Sequence, residues 1–111
     1  MKKNFKIKAE NVKRLLPPLG GCMATDKITV DGVSVGYMYR EESDFEQDSG
    51  WRIFSRTETQ EYVDDSSNTE IYDLNTIANY DKSIIPYLEM PFGTELERKP
   101  NSDEFIEIKE N

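Results

Sequence analysis

The side chains that could do chemistry in this sequence are one thiol and many carboxylates. Cys22 follows Gly20-Gly21 and is the only cysteine, and the chain contains no histidine. A nucleophilic thiol usually depends on a neighbouring base, most often histidine. Lys27 or a helix N-terminus could favour the thiolate instead. A buried, unreactive Cys22 is nevertheless the favoured interpretation, and one cysteine excludes an intramolecular disulfide.

The carboxylates do not form a recognisable metal or catalytic motif. Asp44, Glu46 and Asp48 have the D-x-E-x-D spacing that begins an oxygen-rich calcium loop, but Ser49 stands where glycine is needed and Ser55 where glutamate is needed. No CxxC, HExxH or Walker pattern occurs. With 22 acids in 111 residues, pairs of carboxylates arise by chance. We therefore expect no enzyme, no metal site and no cofactor.

The charge of the chain is unevenly distributed. The net charge is −8, yet residues 1–14 carry six basic groups against one acid, so the remaining 97 residues sum to −13. An acidic surface of this kind repels phosphate backbones, which argues against a nucleic-acid partner. It attracts a basic protein partner, although plain solubility explains the same charge. No apolar run approaches the roughly 18 residues of a membrane-spanning helix. No apolar segment follows the basic N-terminus, so we expect no secretory signal.

The clearest structural pattern lies around Asp31-Gly32. Apolar and polar residues alternate on both sides of this pair, which is typical of a two-residue hairpin turn. The pattern predicts a β-hairpin over residues 26–39, with one buried face formed by Ile28, Val30, Val33, Val35, Tyr37 and Tyr39. A third strand is predicted over residues 51–54. The prediction is an α+β fold, a small antiparallel sheet with two to four short helices packed on it.

The segments before and after this hairpin are shorter. Residues 2–8 alternate apolar residues with lysines, which indicates either an edge strand or a frayed tail. Helical spacing of apolar residues predicts a short helix over residues 9–16, ended by Pro17-Pro18. Residues 41–48 hold five acids and predict an exposed loop between strands. Trp51 is predicted to anchor the core.

The C-terminal half alternates short helices and strands. The expected elements are a helix capped by Thr57 and ending by Asp64, a strand over 70–73, a helix over 74–80, a turn capped by Asp81 or Ser83, and two strands around a polar turn at 100–103. Residues 109–111 are expected to be a frayed tail. At 111 residues the whole chain is expected to be a single domain that begins with an N-terminal strand or helix within residues 1–16.

Five sequence blocks then support a family resemblance. In order along the chain they are GGCMATDKI, GVSVGYMYREE, DSGWRIFS, EYVDD and IYDLNTIANYDKSIIPYLEMPFGTELER. In order and spacing they resemble a bacterial family first catalogued as a domain of unknown function and later assigned, by gene neighbourhood, to immunity proteins of polymorphic toxin systems, group thirty-three. The resemblance covers residues 20–98. It implies a small α+β protein of the cytoplasm that binds and blocks a toxin domain without catalysis.

The resemblance transfers no site residues, so the interface is predicted from charge and exposure. A basic toxin domain would contact the acidic loop and the turn after the predicted helix, with one tyrosine as an anchor. The predicted interface residues are Glu41, Glu42, Asp44, Glu46, Asp48, Asp64, Asp65 and Tyr62. The alternative function is a regulatory or accessory protein-binding module unrelated to toxins. The toxin's identity and the oligomeric state do not follow from the sequence.

Overall fold

Residues 3–108 are described by the computed structural model and contain six strands, three α-helices and three 3-10 segments. The strands are β1 (Gly21–Thr25), β2 (Tyr37–Arg40), β3 (Asp48–Phe54), β4 (Thr69–Asp73), β5 (Glu95–Arg98) and β6 (Phe105–Glu107). The helices are α1 (Asp26–Thr29), α2 (Gln60–Asp64) and α3 (Leu74–Tyr80). The 3-10 segments are Ala9–Asn11, Ser66–Asn68 and Lys82–Tyr87.

All six strands form one mixed sheet. Its order is β4-β1-β3-β2-β5-β6, with β1 and β3 parallel and every other neighbouring pair antiparallel. Helices α1 and α3 contact β1, and α3 also contacts β4. The predicted α+β class is confirmed, and the strand predicted over residues 51–54 is the C-terminal part of β3.

The core lies between one face of the sheet and the α3 region. Trp51 is fully buried, and its Nε1 donates a hydrogen bond to the Leu88 carbonyl oxygen at 2.9 Å. This bond joins the sheet to the segment after the last 3-10 turn, so the prediction that Trp51 anchors the core is confirmed. The apolar side chains around it include Cys22, Ala24, Met38, Ile53, Leu74, Ile77, Ala78, Ile84 and Leu96.

The predicted hairpin over residues 26–39 is wrong. Residues 26–29 form α1, and the backbone N–H groups of Val30 and Asp31 both donate to the Asp26 carbonyl oxygen. Ile28 is fully buried in this helical turn. A hairpin would bury Ile28 and expose its neighbour Thr29, whereas the structure buries both side chains completely. The strand preference of alternating β-branched residues is weak, and tertiary packing outweighs it here.

The second half of the predicted hairpin is extended but only partly paired in the sheet. The Val35 N–H donates to the Asp81 Oδ2 at 2.9 Å, and the Arg98 Nε donates to the Val35 carbonyl oxygen at 2.7 Å. The N–H and the carbonyl oxygen of Val35 are therefore hydrogen-bonded to side chains rather than to a neighbouring strand. Regular pairing in β2 begins at Tyr37, which lies opposite Phe54.

The N-terminal predictions are also corrected. Residues 3–8 form no strand, and residue 2 lies outside the described part of the chain. The helix predicted over 9–16 is limited to the 3-10 turn Ala9–Asn11. The chain then runs extended, and the N–H groups of Leu15 and Leu16 both donate to the Asn75 Oδ1, at 2.7 and 3.1 Å. The Asn75 side chain on α3 supplies partners that a helix would have supplied locally.

The C-terminal half agrees closely with prediction. The α3 helix covers residues 74–80, Asp81 caps the following 3-10 segment, and β5 and β6 flank the polar turn. The α2 helix ends at Asp64 as predicted, but Thr59 rather than Thr57 is its N-cap. The prediction for residues 109–111 lies outside the described residues. Within residues 3–108, none of the helices has the length and apolar character that a membrane-spanning helix needs.

Candidate functional site

The sheet has a second face, opposite the core, and its residues form two cross-strand rows. Side chains of directly paired residues point to the same face. The strand register aligns Ile71, Met23, Arg52, Tyr39 and Glu95 in one row. A second row aligns Phe54, Tyr37, Glu97 and Ile106. Within residues 3–108, the grooves beside Tyr37 and Tyr39 on this face are lined by strand and loop residues only.

Three aromatic rings occupy the centre of this face. Tyr39 and Phe54 are stacked with an interplanar angle of 14° and a centroid separation of 6.0 Å. Tyr37 lies 5.9 Å from Phe54 and 6.0 Å from Tyr39. All three side chains are partly exposed. We call Tyr37, Tyr39 and Phe54 the aromatic cluster, and it provides a rigid apolar surface of the kind that anchors protein interfaces.

A hydrogen bond fixes one ring of the aromatic cluster to its acidic neighbour. The Tyr37 hydroxyl donates to the Glu95 carboxylate on β5. Burial and this bond raise the pKa of Tyr37 well above its ordinary value, with the Glu95 charge acting in the same direction. Tyr37 therefore stays neutral and keeps Glu95 oriented at the edge of the rings.

Grooves adjoin the aromatic cluster on two sides. One has a volume of about 580 Å³ and is lined by Tyr37, Tyr39, Arg40, Glu41, Glu42, Phe92, Gly93, Thr94 and Glu95. The other has a volume of about 340 Å³ and includes Arg56 and Glu58 beside the three rings. Phe92 in the first groove is 54% exposed. The face thus combines exposed aromatic surface with a predominantly acidic border.

The acidic loop between β2 and β3 is attached to this face by Arg52. The Arg52 Nε donates to the Glu41 Oε2 at 2.7 Å, and its Nη1 and Nη2 donate to the Asp48 oxygens at 3.0 and 2.8 Å. The Arg52 side chain is 3% exposed and that of Asp48 is fully buried. The Arg52 hydrogen bonds hold the pKa of Asp48 well below its usual range, with further bonds from the N–H groups of Asp44 and Gly50.

Asp48 is therefore not the exposed interface residue that the sequence predicted. Its carboxylate stabilises Arg52 and the start of β3, where a contact with a partner would require disrupting a buried ion pair. Glu41, Glu42, Asp44 and Glu46 are exposed, as the predicted loop requires. Glu41 and Glu42 line the first groove, while Glu46 lines another groove, of about 720 Å³, where β1 and β3 begin.

The second predicted cluster lies away from the loop. Asp64 ends α2 and accepts a hydrogen bond from the Gln60 Nε2, and Asp65 caps the 3-10 segment that follows. The Lys27 Nζ lies 5.2 Å from the Tyr62 ring centroid, which places Tyr62 beside α1. Since α1 follows the end of β1, and β1 is parallel to β3, this cluster and the acidic loop lie at opposite ends of β3.

The aromatic cluster was not part of the predicted interface. Sequence reasoning assigned Tyr37 and Tyr39 to the buried face of the predicted hairpin. The informative signal is the alternation in β2, where Met38 is fully buried between two tyrosines. An antiparallel sheet often has one face against the core and one face toward solvent, and tyrosine suits the latter.

Other candidate chemical groups are in structural positions. Cys22 is fully buried, as predicted, and burial raises the pKa of its thiol far above the ordinary value, reinforced by Asp73. A neutral, buried thiol is a poor nucleophile. Among residues 3–108, no group of three or more acidic or cysteine side chains is arranged to hold a metal ion.

Comparison with known proteins gives one match. A family model described as Immunity protein Imm33 domain matches residues 22–109. The matched region contains the whole sheet except Gly21, including the aromatic cluster and the acidic loop. Searches of curated proteins and of solved structures returned no match.

Proposed function

This chain belongs to the Imm33 immunity protein domain family, and we propose that it neutralises a toxin domain in the cytoplasm by stoichiometric binding, without catalysis. The family match over residues 22–109 is the observation that carries this proposal. The match includes five complete strands and α1 to α3, so the architecture as a whole is the part that the family shares.

The environment of the reactive groups supports binding rather than catalysis. The Cys22 thiol is buried and held neutral. The least exposed carboxylate of the loop region, Asp48, is fully engaged by Arg52 and by backbone N–H groups. Catalytic carboxylates usually have a free oxygen in a cleft and a pKa near the working pH. Asp48 has neither property.

The exposed acids of the loop support a basic partner. Glu42, Asp44 and Glu46 are exposed on a loop held to the sheet by the Arg52 ion pairs. Toxins that act on nucleic acids carry basic surfaces because their substrate is anionic. A loop of this charge would accelerate encounter with such a surface, and steered association can reach about 10⁸–10⁹ M⁻¹s⁻¹ at low salt.

Growth rescue tests this function. The C-terminal domain of the toxin-like protein encoded next to this gene would be expressed in a test cell, with and without this chain. We expect growth to be restored, and we expect a one-to-one complex by co-purification and light scattering. Rescue at a chain-to-toxin ratio far below one would indicate catalytic inactivation and would contradict stoichiometric binding.

A destabilised variant serves as the control for the amount of folded protein in the rescue experiment. Asp48→Asn removes the charge from the buried ion pair and should lower rescue only as far as it lowers the amount of folded protein. If a demonstrably toxic domain is not neutralised or bound by the native chain, the proposed pair is wrong. The accessory-module alternative would then be supported by a defined complex with a protein that is not a toxin.

A further inference from the structure

Within residues 3–108, most of the exposed large apolar side chains lie near one face of the sheet. The four such side chains are Phe5, Ile71, Phe92 and Ile106, with exposures of 39, 56, 54 and 45%. Ile71 and Ile106 belong to the two cross-strand rows on the face of the sheet opposite the core, which we call the open face. Phe92 lines the groove beside Tyr39. Phe5 instead packs edge-on against Tyr72, whose strand position faces the core side. Ile71 and Ile106 lie on the two edge strands, β4 and β6, whereas Phe92 lies beside the aromatic cluster. Exposed apolar side chains next to partly exposed rings are typical of an interaction site.

The charge around the aromatic cluster restricts what can bind there. The groove of about 580 Å³ is lined by three glutamates, Glu41, Glu42 and Glu95, against one arginine. That arginine, Arg40, is already committed, because its Nε and Nη1 donate to the carbonyl oxygens of Ser49 and Met90 at 2.8 and 2.7 Å. Its guanidinium also stacks 4.6 Å from the Phe92 ring centroid.

The three glutamates of this groove differ in the hydrogen bonds and ion pairs that their carboxylates form. Glu41 pairs with Arg52, and Glu95 accepts a single bond from the Tyr37 hydroxyl. Within residues 3–108, the Glu42 carboxylate takes part in no hydrogen bond or ion pair. Carboxylates next to partly exposed rings suit a cation, because the ring face and the carboxylate attract the same charge.

We infer that this open face, centred on Tyr37, Tyr39 and Phe54, receives the toxin domain, and that the toxin presents an arginine or lysine side chain to these rings and to Glu42 and Glu95. The inference rests on the proposed function and names the surface and the chemistry by which it operates. Phosphate backbones are disfavoured because they would approach the same glutamates. A second copy of this chain would oppose one acidic border with another, which is repulsive.

The face also has the anatomy of a strong interface. Binding energy concentrates in a few central, desolvated aromatic or arginine residues, and surrounding polar groups exclude water from them. The aromatic cluster forms such a centre, and Glu42 and Glu95 lie at its border with Phe92. The acidic loop continues this border, so steering and docking surfaces adjoin.

The test measures, by titration calorimetry, the affinity of the purified native protein and of its variants for the toxin domain encoded next to this gene. The toxin domain is used in an inactivated form. Tyr39→Ala/Phe54→Ala should weaken binding by at least about 30-fold, as expected for central anchor residues. Glu42→Lys should weaken it by about 10-fold or more, because it places a cation where a cation is received. Tyr39→Phe keeps the ring and should bind within about threefold of the native protein.

Matched controls lie on other surfaces. Phe5→Ala removes an exposed aromatic side chain from the opposite side of the sheet, and Glu89→Lys makes the same charge change as Glu42→Lys at an exposed position outside the described grooves. Both should bind like the native protein. Circular dichroism and thermal unfolding of each variant identify losses caused by misfolding, and Glu42→Lys alters no described contact.

The outcomes separate this inference from the proposed function. If the native chain binds the toxin and both Glu42→Lys and the double alanine variant bind equally well, the open face is not the docking surface, while neutralisation by binding stands. If the native chain itself neither binds nor rescues, the proposed function fails and the inference fails with it. A dimer of the native chain that Tyr39→Ala dissociates would show that the face receives a second copy, and would also overturn the inference.

Discussion

The guanidinium of Arg52 and the carboxylate of Asp48 form a two-bond ion pair, with Nη1–Oδ1 at 3.0 Å and Nη2–Oδ2 at 2.8 Å. The pair lies four residues apart on β3, and neither side chain is more than 3% exposed. Arg52 also donates to Glu41, so this pair connects the first residue of the acidic loop to the strand that follows it. The position of the loop therefore depends on a buried charge pair.

Asp48→Asn should strongly destabilise the protein. Removing one partner of a buried pair typically costs about 3–5 kcal/mol. Glu41, which keeps its bond to Arg52, has a 47% exposed side chain and compensates the buried guanidinium only in part. We expect a loss in this range in the free energy of unfolding measured with urea. Asp44→Asn is the control, because the Asp44 side chain is 71% exposed and 3.9 Å from Arg52. Equal losses in the two variants would show that burial of the pair is not what matters.

Acid should weaken the native protein more than the Asp48→Asn variant. Arg52 and two backbone N–H groups hold the pKa of Asp48 below its usual range, whereas an unfolded aspartate titrates near about 3.9. Above that pH the stabilisation is fully present. Below it the unfolded state binds the proton first, so stability falls as the pH decreases. Urea unfolding at several pH values down to about 2 should show a shallower decline in the variant; parallel declines would contradict this.

Two glycines with similar backbone angles should respond differently to substitution. Gly50 has φ +91° and Gly93 has φ +92°, a region that costs other residues about 1–2 kcal/mol. A Cβ at Gly50 would lie 2.0 Å from the Glu41 carbonyl oxygen, whereas nothing lies within 4 Å at Gly93. Gly50→Ala should therefore cost more than about 3 kcal/mol. Gly93→Ala should cost about 1 kcal/mol in the same thermal or urea unfolding experiment.

The Cys22 thiol should react only when the protein opens. It is fully buried, and its raised pKa disfavours the reactive thiolate. A thiol reagent at neutral pH should label native Cys22 at least about 100-fold more slowly than the urea-unfolded chain. A Cys22→Ala, Ser66→Cys protein supplies an exposed thiol as the control. Rapid labelling of native Cys22 would mean that β1 is accessible to solvent.

Neutralising the exposed loop acids should slow association with the toxin domain. Glu42→Gln, Asp44→Asn and Glu46→Gln together remove three charges and leave Arg52 and Asp48 themselves unchanged. We expect the association rate at low salt to fall about 10-fold and its dependence on salt to flatten. Asp64→Asn with Asp65→Asn is the comparison at the other end of β3. If the association rate measured by stopped flow changes only in the Asp64→Asn, Asp65→Asn variant, the acidic loop is not the steering surface.

Local signals predicted much of the C-terminal half. Leu74, Ile77 and Ala78 are spaced for one face of a helix, and Asp73 and Asp81 cap successive helical segments through their side chains. Caps and helical periodicity act within a few residues, so they can be read without knowledge of the fold. The last strand pair has the same local character, with a polar turn between Leu96 and the apolar residues Phe105 and Ile106.

The open face could not be predicted in the same way. Tyr37 and Tyr39 belong to a pattern that a hairpin also satisfies, and only the pairing of β2 with β3 and β5 places them beside Phe54 and Glu95. Strand pairing depends on contacts between residues far apart in the chain. A change in pairing or register reassigns side chains between faces.

The amino-acid sequence alone is enough to establish the family, the α+β class, the acidic charge and the elements whose ends are set by local capping. The tertiary structure, by contrast, makes residues 26–29 helical, because Ile28 and Thr29 are both fully buried there and a hairpin would bury only the first. It also decided that Asp48 is a buried partner of Arg52 rather than a surface acid. Burial and long-range pairing are properties of the assembled sheet, and their energies outweigh the weak local preferences that a sequence displays.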